Sequence, residues 1–270
     1  MDAHHTFEEA FPSSGNWTEE QLKLAISIYL HTPFGQLHKT NPEIVRTAAL
    51  IRRTPSALAM KLSNFASLDP SIIDSGRKGL AGASAHDRKI WDAFHEDWER
   101  LALDCAALQQ QLTHAMNFAP GGVRDDPADD LTDFTGETRV ALVQQRVKQD
   151  FFRRTVLASY RYQCCISGVS DPRLLIASHI VPWSQDKANR LNPRNGLCLS
   201  AIHDKAFDNH LFTLSEDLRV VLSKRLKASR DDFLRDVFLP VEGQQIDLPE
   251  RFRPDATLMA SHRDRTLHGA

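Results

Sequence analysis

The sequence predicts an α+β protein, mainly helical in its N-terminal half, followed by a compact strand, turn, strand and helix. Three observations carry this. Apolar residues recur at spacings of three and four between Leu22 and Leu112. A segment rich in Pro, Gly and Asp then interrupts the pattern from Pro120 to Asp130. Beyond it, short β-runs bounded by turn residues appear, such as Leu174 to Val181 and Gly196 to Leu199. With 270 residues, 41% hydrophobic and 25% charged, the chain can bury one large or two small cores, which excludes a disordered or fibrous polymer.

The elements follow from local signals. Thr18 caps a helix with Glu19, Glu20 and Gln21 in its first turn and Leu22, Ala25, Ile26, Tyr29 and Leu30 on one face, and Pro33 and Gly35 stop it. Asn41 caps a second helix from Pro42 to Ile51. Thr54 caps a third, with Pro55 at its first position and Leu58, Met60, Leu62 and Phe65 along it. The Gly-rich run from Asp74 to Ala83 reads as a loop. From 85 to 116, Ile90, Trp91, Phe94, Trp98, Leu101, Cys105, Leu108 and Leu112 repeat with no Gly or Pro between them, which predicts one long helix whose stripe serves as core or as a homodimer seam. The organisation expected is a helical module over 1–72, a loop and connecting helix over 73–118, an acidic hinge over 119–136 and a C-terminal domain over 137–270. That domain opens on a basic amphipathic helix from Glu137 to Tyr160, and Leu211 to Leu222 reads as a terminal hairpin.

Lys and Arg total 33 against 35 Asp and Glu, a net charge of −2 that by itself points to no polyanionic partner. The distribution is uneven. Residues 137–230 hold 16 Lys and Arg against 8 acids, while the remainder is acidic. The start, Met1-Asp2-Ala3-His4-His5, is neither basic nor apolar, and no stretch approaches the roughly 18 apolar residues of a membrane span, so a cytoplasmic protein without a membrane partner is expected. Cys105, Cys164, Cys165 and Cys198 form no Cys-x-x-Cys pair and read as buried free thiols, with no structural zinc expected.

Chemistry concentrates after the basic helix. His179 ends an apolar strand, Asn195 lies at a turn, and His203 follows near the start of a helix with Asp204 and Asp208 close by. A strand, turn, strand and helix of this length can fold both histidines toward one pocket. A metal-assisted phosphodiesterase needs such parts: an imidazole to take a proton from water, and a ligand holding a cation at the scissile phosphate. An Asn side chain, donor and acceptor at once, can brace the hairpin. Trp183 and Phe207 read as structural, and His210 and His262 as solvated.

At these residues the sequence resembles the HNH endonuclease family, in the branch whose blocks read here Ser178-His179-Ile180-Val181-Pro182-Trp183, Asn192-Pro193-Arg194-Asn195-Gly196-Leu197-Cys198-Leu199 and His203-Asp204-Lys205-Ala206-Phe207-Asp208. The likeness covers roughly Glu137 to Leu222. It implies a ββα-metal finger in which His179 is the general base, Asn195 shapes the site, and His203 binds Mg²⁺ or a similar ion such as Mn²⁺. Many members place Asp or His immediately before the base; Ser178 stands there, which makes Asp208 the candidate second ligand and Asp204 a weaker one. Arg153 and Arg154 on the basic helix, with Lys187, Arg190 and Arg194 in the loop, are the expected phosphate contacts.

The N-terminal helices more faintly resemble a Myb-type helix-turn-helix. In that reading Arg52, Arg53 and Lys61 contact DNA from the third helix. A metal-dependent DNA endonuclease follows, and restriction or anti-phage defence is its role by analogy. Two alternatives differ from it: a DNA-binding regulator with a degenerate nuclease fold, and a nuclease effector active only after assembly with an activating partner.

Overall fold

The computed structural model describes residues 7–117 and 136–268. The acidic hinge, Gly136 apart, lies outside the described residues. The chain forms two compact units, Met1–Phe151 and Phe152–Ala270. The division falls inside a helix.

In the first unit the helices are α1 (Phe7–Ala10), α2 (Glu19–His31), α3 (Pro42–Leu50), α4 (Pro55–Ala66), α5 (Pro70–Asp74), α6 (Ala85–Glu96) and α7 (Trp98–Asn117). Helix α8 (Gly136–Ser159) begins here and ends in the second unit. The local signals place the starts as expected. The Thr18 hydroxyl accepts from Gln21 N while the Gln21 side chain returns to Thr18 N, and Asn41 and Thr54 cap α3 and α4. Helix α2 is buried on almost every side, and α4, α6 and α7 pack around it. A helix apolar all round belongs at the centre of a bundle. Tyr29, Phe65 and Trp91 form an aromatic cluster there, and the Tyr29 hydroxyl donates to Asp69 at 2.7 Å.

The single long helix expected over 85–116 is two helices. Asp97 breaks it at φ −146° and ψ 87°, and its carboxylate caps the second piece by accepting from Arg100 N at 2.9 Å. Ile90, Trp91, Phe94, Leu101, Cys105 and Leu112 are buried within the unit. The stripe is core, which removes the seam on which a homodimer was expected.

In the second unit, β1 (Leu175–His179) pairs antiparallel with β2 (Gly196–Ser200), and α9 (Ala201–Asp208) follows at once. A second antiparallel pair, β3 (Phe212–Leu214) and β4 (Val220–Leu222), leads to α10 (Lys224–Lys227), α11 (Asp232–Phe238) and α12 (Ala256–His268). Helix α12 packs on β3 through His262, which is buried and not solvated. Its ring stacks on Phe207 at 3.7 Å and 4°, and its nitrogens meet Thr213 Oγ1 at 2.9 Å and the Phe207 carbonyl at 3.1 Å. Burial holds its pKa down at about 3, so it is a neutral structural side chain. His210 is half-buried against Thr266, with burial again lowering its pKa.

Together these elements give a mixed α+β architecture, with helices filling the N-terminal half and small sheets in the C-terminal unit. No described helix is long and apolar enough to cross a membrane.

Candidate active site

The hairpin is aligned by its own backbone. Register pairs His179 with Gly196 and Ser178 with Leu197, and Asn195 O accepts from Ile180 N at 2.9 Å beyond the last pair. Gly196 sits where α8 crosses the hairpin: a Cβ there would lie 2.5 Å from Val156 and 3.0 Å from Phe152. The missing side chain lets Phe152 reach His179, whose ring stacks on it at 3.9 Å and 11°. Trp183 meets the imidazole edge-on at 5.7 Å.

These contacts select one tautomer of His179. Its Nε2 lies 3.0 Å from the Arg190 carbonyl, which only accepts, so Nε2 carries the hydrogen and Nδ1 is the basic atom. Burial lowers the His179 pKa, against the pull of the Arg190 carbonyl and of the Asp204 carboxylate. The imidazole is therefore neutral at pH 7, as a general base requires.

Asn195 holds the loop that presents Arg190. It is fully buried, its Oδ1 accepts from Val181 N at 2.9 Å, and its Nδ2 donates to the Val181 and Asn189 carbonyls, each at 3.1 Å. Asp186 secures the same loop through the backbone N–H groups of Ala188 and Asn189. Asn195 thus acts on His179 through the chain that carries its hydrogen-bond partner.

Helix phase decides which acids face His179. His203, Ala206 and Phe207 are the buried face of α9. The His203 ring points into the core, with Nδ1 2.7 Å from Ser200 Oγ and edge-on contacts to Phe238 at 5.2 Å and Phe212 at 6.4 Å. The Cys164 thiol lies beside it. Burial raises that thiol, but His203, Ser167 and two backbone N–H groups outweigh this and bring it down to about 6. All four cysteines are free and buried. The His203 Nδ1 is engaged by Ser200, while its Nε2 is buried with no hydrogen-bond partner.

Asp204, one residue on, lies toward His179. It is half-buried, it is the carboxylate that acts on His179, and it lies close enough to Ser178 for the hydroxyl to lower its pKa without forming a well-aligned hydrogen bond. Burial, joined by repulsion from Asp208, nevertheless leaves the Asp204 carboxyl above the usual carboxylate range. Asp208 lies one turn further along α9, beyond direct influence on His179.

The expected DNA contacts fare unevenly. Arg153 donates to the carbonyls of Leu175 at 2.7 Å and Pro172 at 3.1 Å, which ties α8 to the hairpin. Arg190 donates to Trp183 O at 2.8 Å and lies over the Trp183 ring at 5.4 Å. Arg154 is half-buried and makes intramolecular contacts. Arg194 is half-exposed, with a 3.5 Å ion pair to Asp255, and Lys187 is exposed. In the helical unit, Lys61 is buried and its ammonium meets both Asp87 oxygens, at 2.8 and 3.0 Å. Arg53 donates to Gln21 Oε1 and to the carbonyls of Gly15 and Asn16, and both cations lie over Trp17. Arg52 adopts a left-handed φ of 58° at the end of α3 and is half-buried. Lys61 is the one basic residue of α4, and its charge is met by Asp87.

An antiparallel β-pair runs straight into a helix, with a tautomer-selected histidine at the end of its first strand, which is the ββα layout that the sequence resemblance implies. Residues 164–215 match the family model described as HNH endonuclease. No match to the chain was found among curated proteins.

Proposed function

We propose that the chain is a divalent-metal-dependent DNA endonuclease whose general base is His179 and whose metal-binding carboxylate is Asp204. The observation that carries this reading is the state of His179: neutral, Nε2 fixed on the Arg190 carbonyl, Nδ1 unspent, and Asp204 alongside. Nδ1 takes the proton of the attacking water, and the imidazolium so formed is steadied by the Asp204 charge and the Arg190 carbonyl. Phe152 fixes the ring plane, and Asn195 keeps the acceptor loop in register.

Among the described residues, no group of three or more His, Cys, Asp or Glu side chains converges on one point. The donors beside His179 are few and oxygen-rich: the Asp204 carboxylate and the Ser178 hydroxyl, buried without a hydrogen-bond partner. That set fits Mg²⁺, which binds through one or two carboxylates and keeps several waters for exchange with phosphate oxygens. Asp204 and Ser178 would hold the ion, with Asp208 one turn away as an outer carboxylate. When bound, it supplies positive charge at the scissile phosphate and the leaving oxygen. A helical unit joined to such a segment suits restriction or defence against foreign DNA, by analogy of architecture.

Incubation of plasmid DNA with the protein and Mg²⁺ or Mn²⁺ is expected to give nicked or linear product, and EDTA to prevent it. Equal cleavage in EDTA would refute the metal requirement, and binding without cleavage in every metal would favour the degenerate regulator.

A further inference from the structure

The second unit carries a groove of about 810 Å³ that plays no part in the site above. It lies between α10 and the last turn of α12, and its near end is formed by Asn209 and His210, directly after α9. Lys224, Arg225, Lys227 and Arg265 line it with His210 and His268, and no Asp or Glu does. Lys227 is paired with Glu242, and Arg265 donates to Gln185 at 2.9 Å and to Ser261 O at 3.3 Å. Arg265 still leaves Nη2 buried with no hydrogen-bond partner. Lys224 and Arg225 are exposed, and no ion pair engages either among the described residues.

A concave surface of one sign with uncompensated cations concentrates field and selects a polyanion. Its position names which one. Asn209 is five residues beyond Asp204 on the α9 path, about 8 Å at the helical rise per residue. That is the scale of one or two nucleotides along a strand. Gln185, held by Arg265, belongs to the loop that carries Arg190 to His179. The groove therefore starts at one end of the nuclease helix and is braced to the other wall of the site.

We propose that this groove binds the phosphate backbone of double-stranded DNA flanking the scissile phosphate, through Lys224 and Arg225 with Arg265 behind them. This rests on the endonuclease reading above. Phosphate contacts of this kind supply affinity and register without base information.

The test uses the full chain carrying His179→Ala, in EDTA, with fluorescence anisotropy of a labelled DNA duplex over a range of salt. Lys224→Gln with Arg225→Gln is expected to weaken binding by about tenfold or more and to reduce the salt slope by about 2, while Lys224→Arg with Arg225→Lys retains both affinity and slope. An unchanged affinity and slope in the Gln pair would overturn the proposal, as would equal loss in the conservative pair, or tighter binding of an RNA duplex of the same length. Thermal unfolding of each variant shows that the fold is retained. A protein that binds through Lys224 and Arg225 but never cleaves would sink the nuclease reading and leave the groove standing. Cleavage undiminished when the Gln pair is placed in the protein with His179 intact and Mg²⁺ supplied, with unchanged binding, would sink the groove alone.

Discussion

Replacing His179 by alanine is expected to lower the rate of DNA cleavage by about 10²- to 10⁴-fold, the range for loss of a positioned general base. DNA affinity should hardly change, because the imidazole is enclosed by Phe152, Trp183 and the Arg190 carbonyl and does not present a charge to phosphate. The pH profile carries the same information. Burial depresses the His179 pKa below its ordinary 6.5, so the basic form is fully present at neutral pH and is lost only as pH falls through that lowered value. The rate should level off at alkaline pH and fall with unit slope as pH drops through an inflection below 6.5. An inflection above pH 7, or a His179→Ala protein that cleaves like the wild type, would remove His179 from the chemistry.

The second large effect concerns stability. Asp87→Asn is expected to cost about 3 kcal/mol or more in the helical unit, because it leaves the Lys61 ammonium buried without a counter-charge. Asp87 also accepts from Ser84 N at 2.8 Å in the capping box of α6, so the same change loosens that helix start. Lys61→Met with Asp87→Leu should recover most of the loss, since removing both charges also removes the desolvation cost. Urea unfolding followed by tryptophan fluorescence measures this directly, as Trp17, Trp91 and Trp98 all lie in the first unit. A loss below about 1 kcal/mol for Asp87→Asn would mean that water reaches the pair and that Lys61 is available at the surface after all.

Lys61 also shows where sequence reading stops. A lysine on the third helix of a trihelical module reads as a DNA contact, and nothing near it in the sequence says otherwise. Its partner, Asp87, lies 26 residues away and reaches it only because α6 folds back on α4. Signals contained within one turn were legible: Thr18, Asn41 and Thr54 cap helices with their own side chains, and these starts stand where expected. The break at Asp97 was hidden because apolar spacing continues across it while the backbone turns.

The site divides in the same way. The three motif blocks were legible because β1, β2 and α9 are adjacent elements joined by short connections. The choice between His203 and Asp204 depended on helix phase. His203 lies four residues before Phe207 and Asp204 four before Asp208, so one pair faces the core and the other the open side. That spacing was present in the sequence. The burial of His262 against Phe207, 55 residues away, was not. Nor was the use of Arg153 on two carbonyls, since a basic stripe looks the same whether its charges meet phosphate or backbone.

The central proposal is that Asp204, the carboxylate beside His179, binds the catalytic cation, while His203, on the buried face of α9, serves the fold. It is tested most directly by single-turnover cleavage of a DNA duplex at saturating Mg²⁺, comparing Asp204→Asn with His203→Gln at a temperature where both are folded. Asp204→Asn should lose about 10²-fold or more, as expected when a cation-binding carboxylate beside the base is neutralised. His203→Gln should retain the wild-type order of magnitude, with its cost appearing instead as a lower Tm. A folded His203→Gln protein that is as inactive as Asp204→Asn, or an Asp204→Asn protein that cleaves normally, would contradict it.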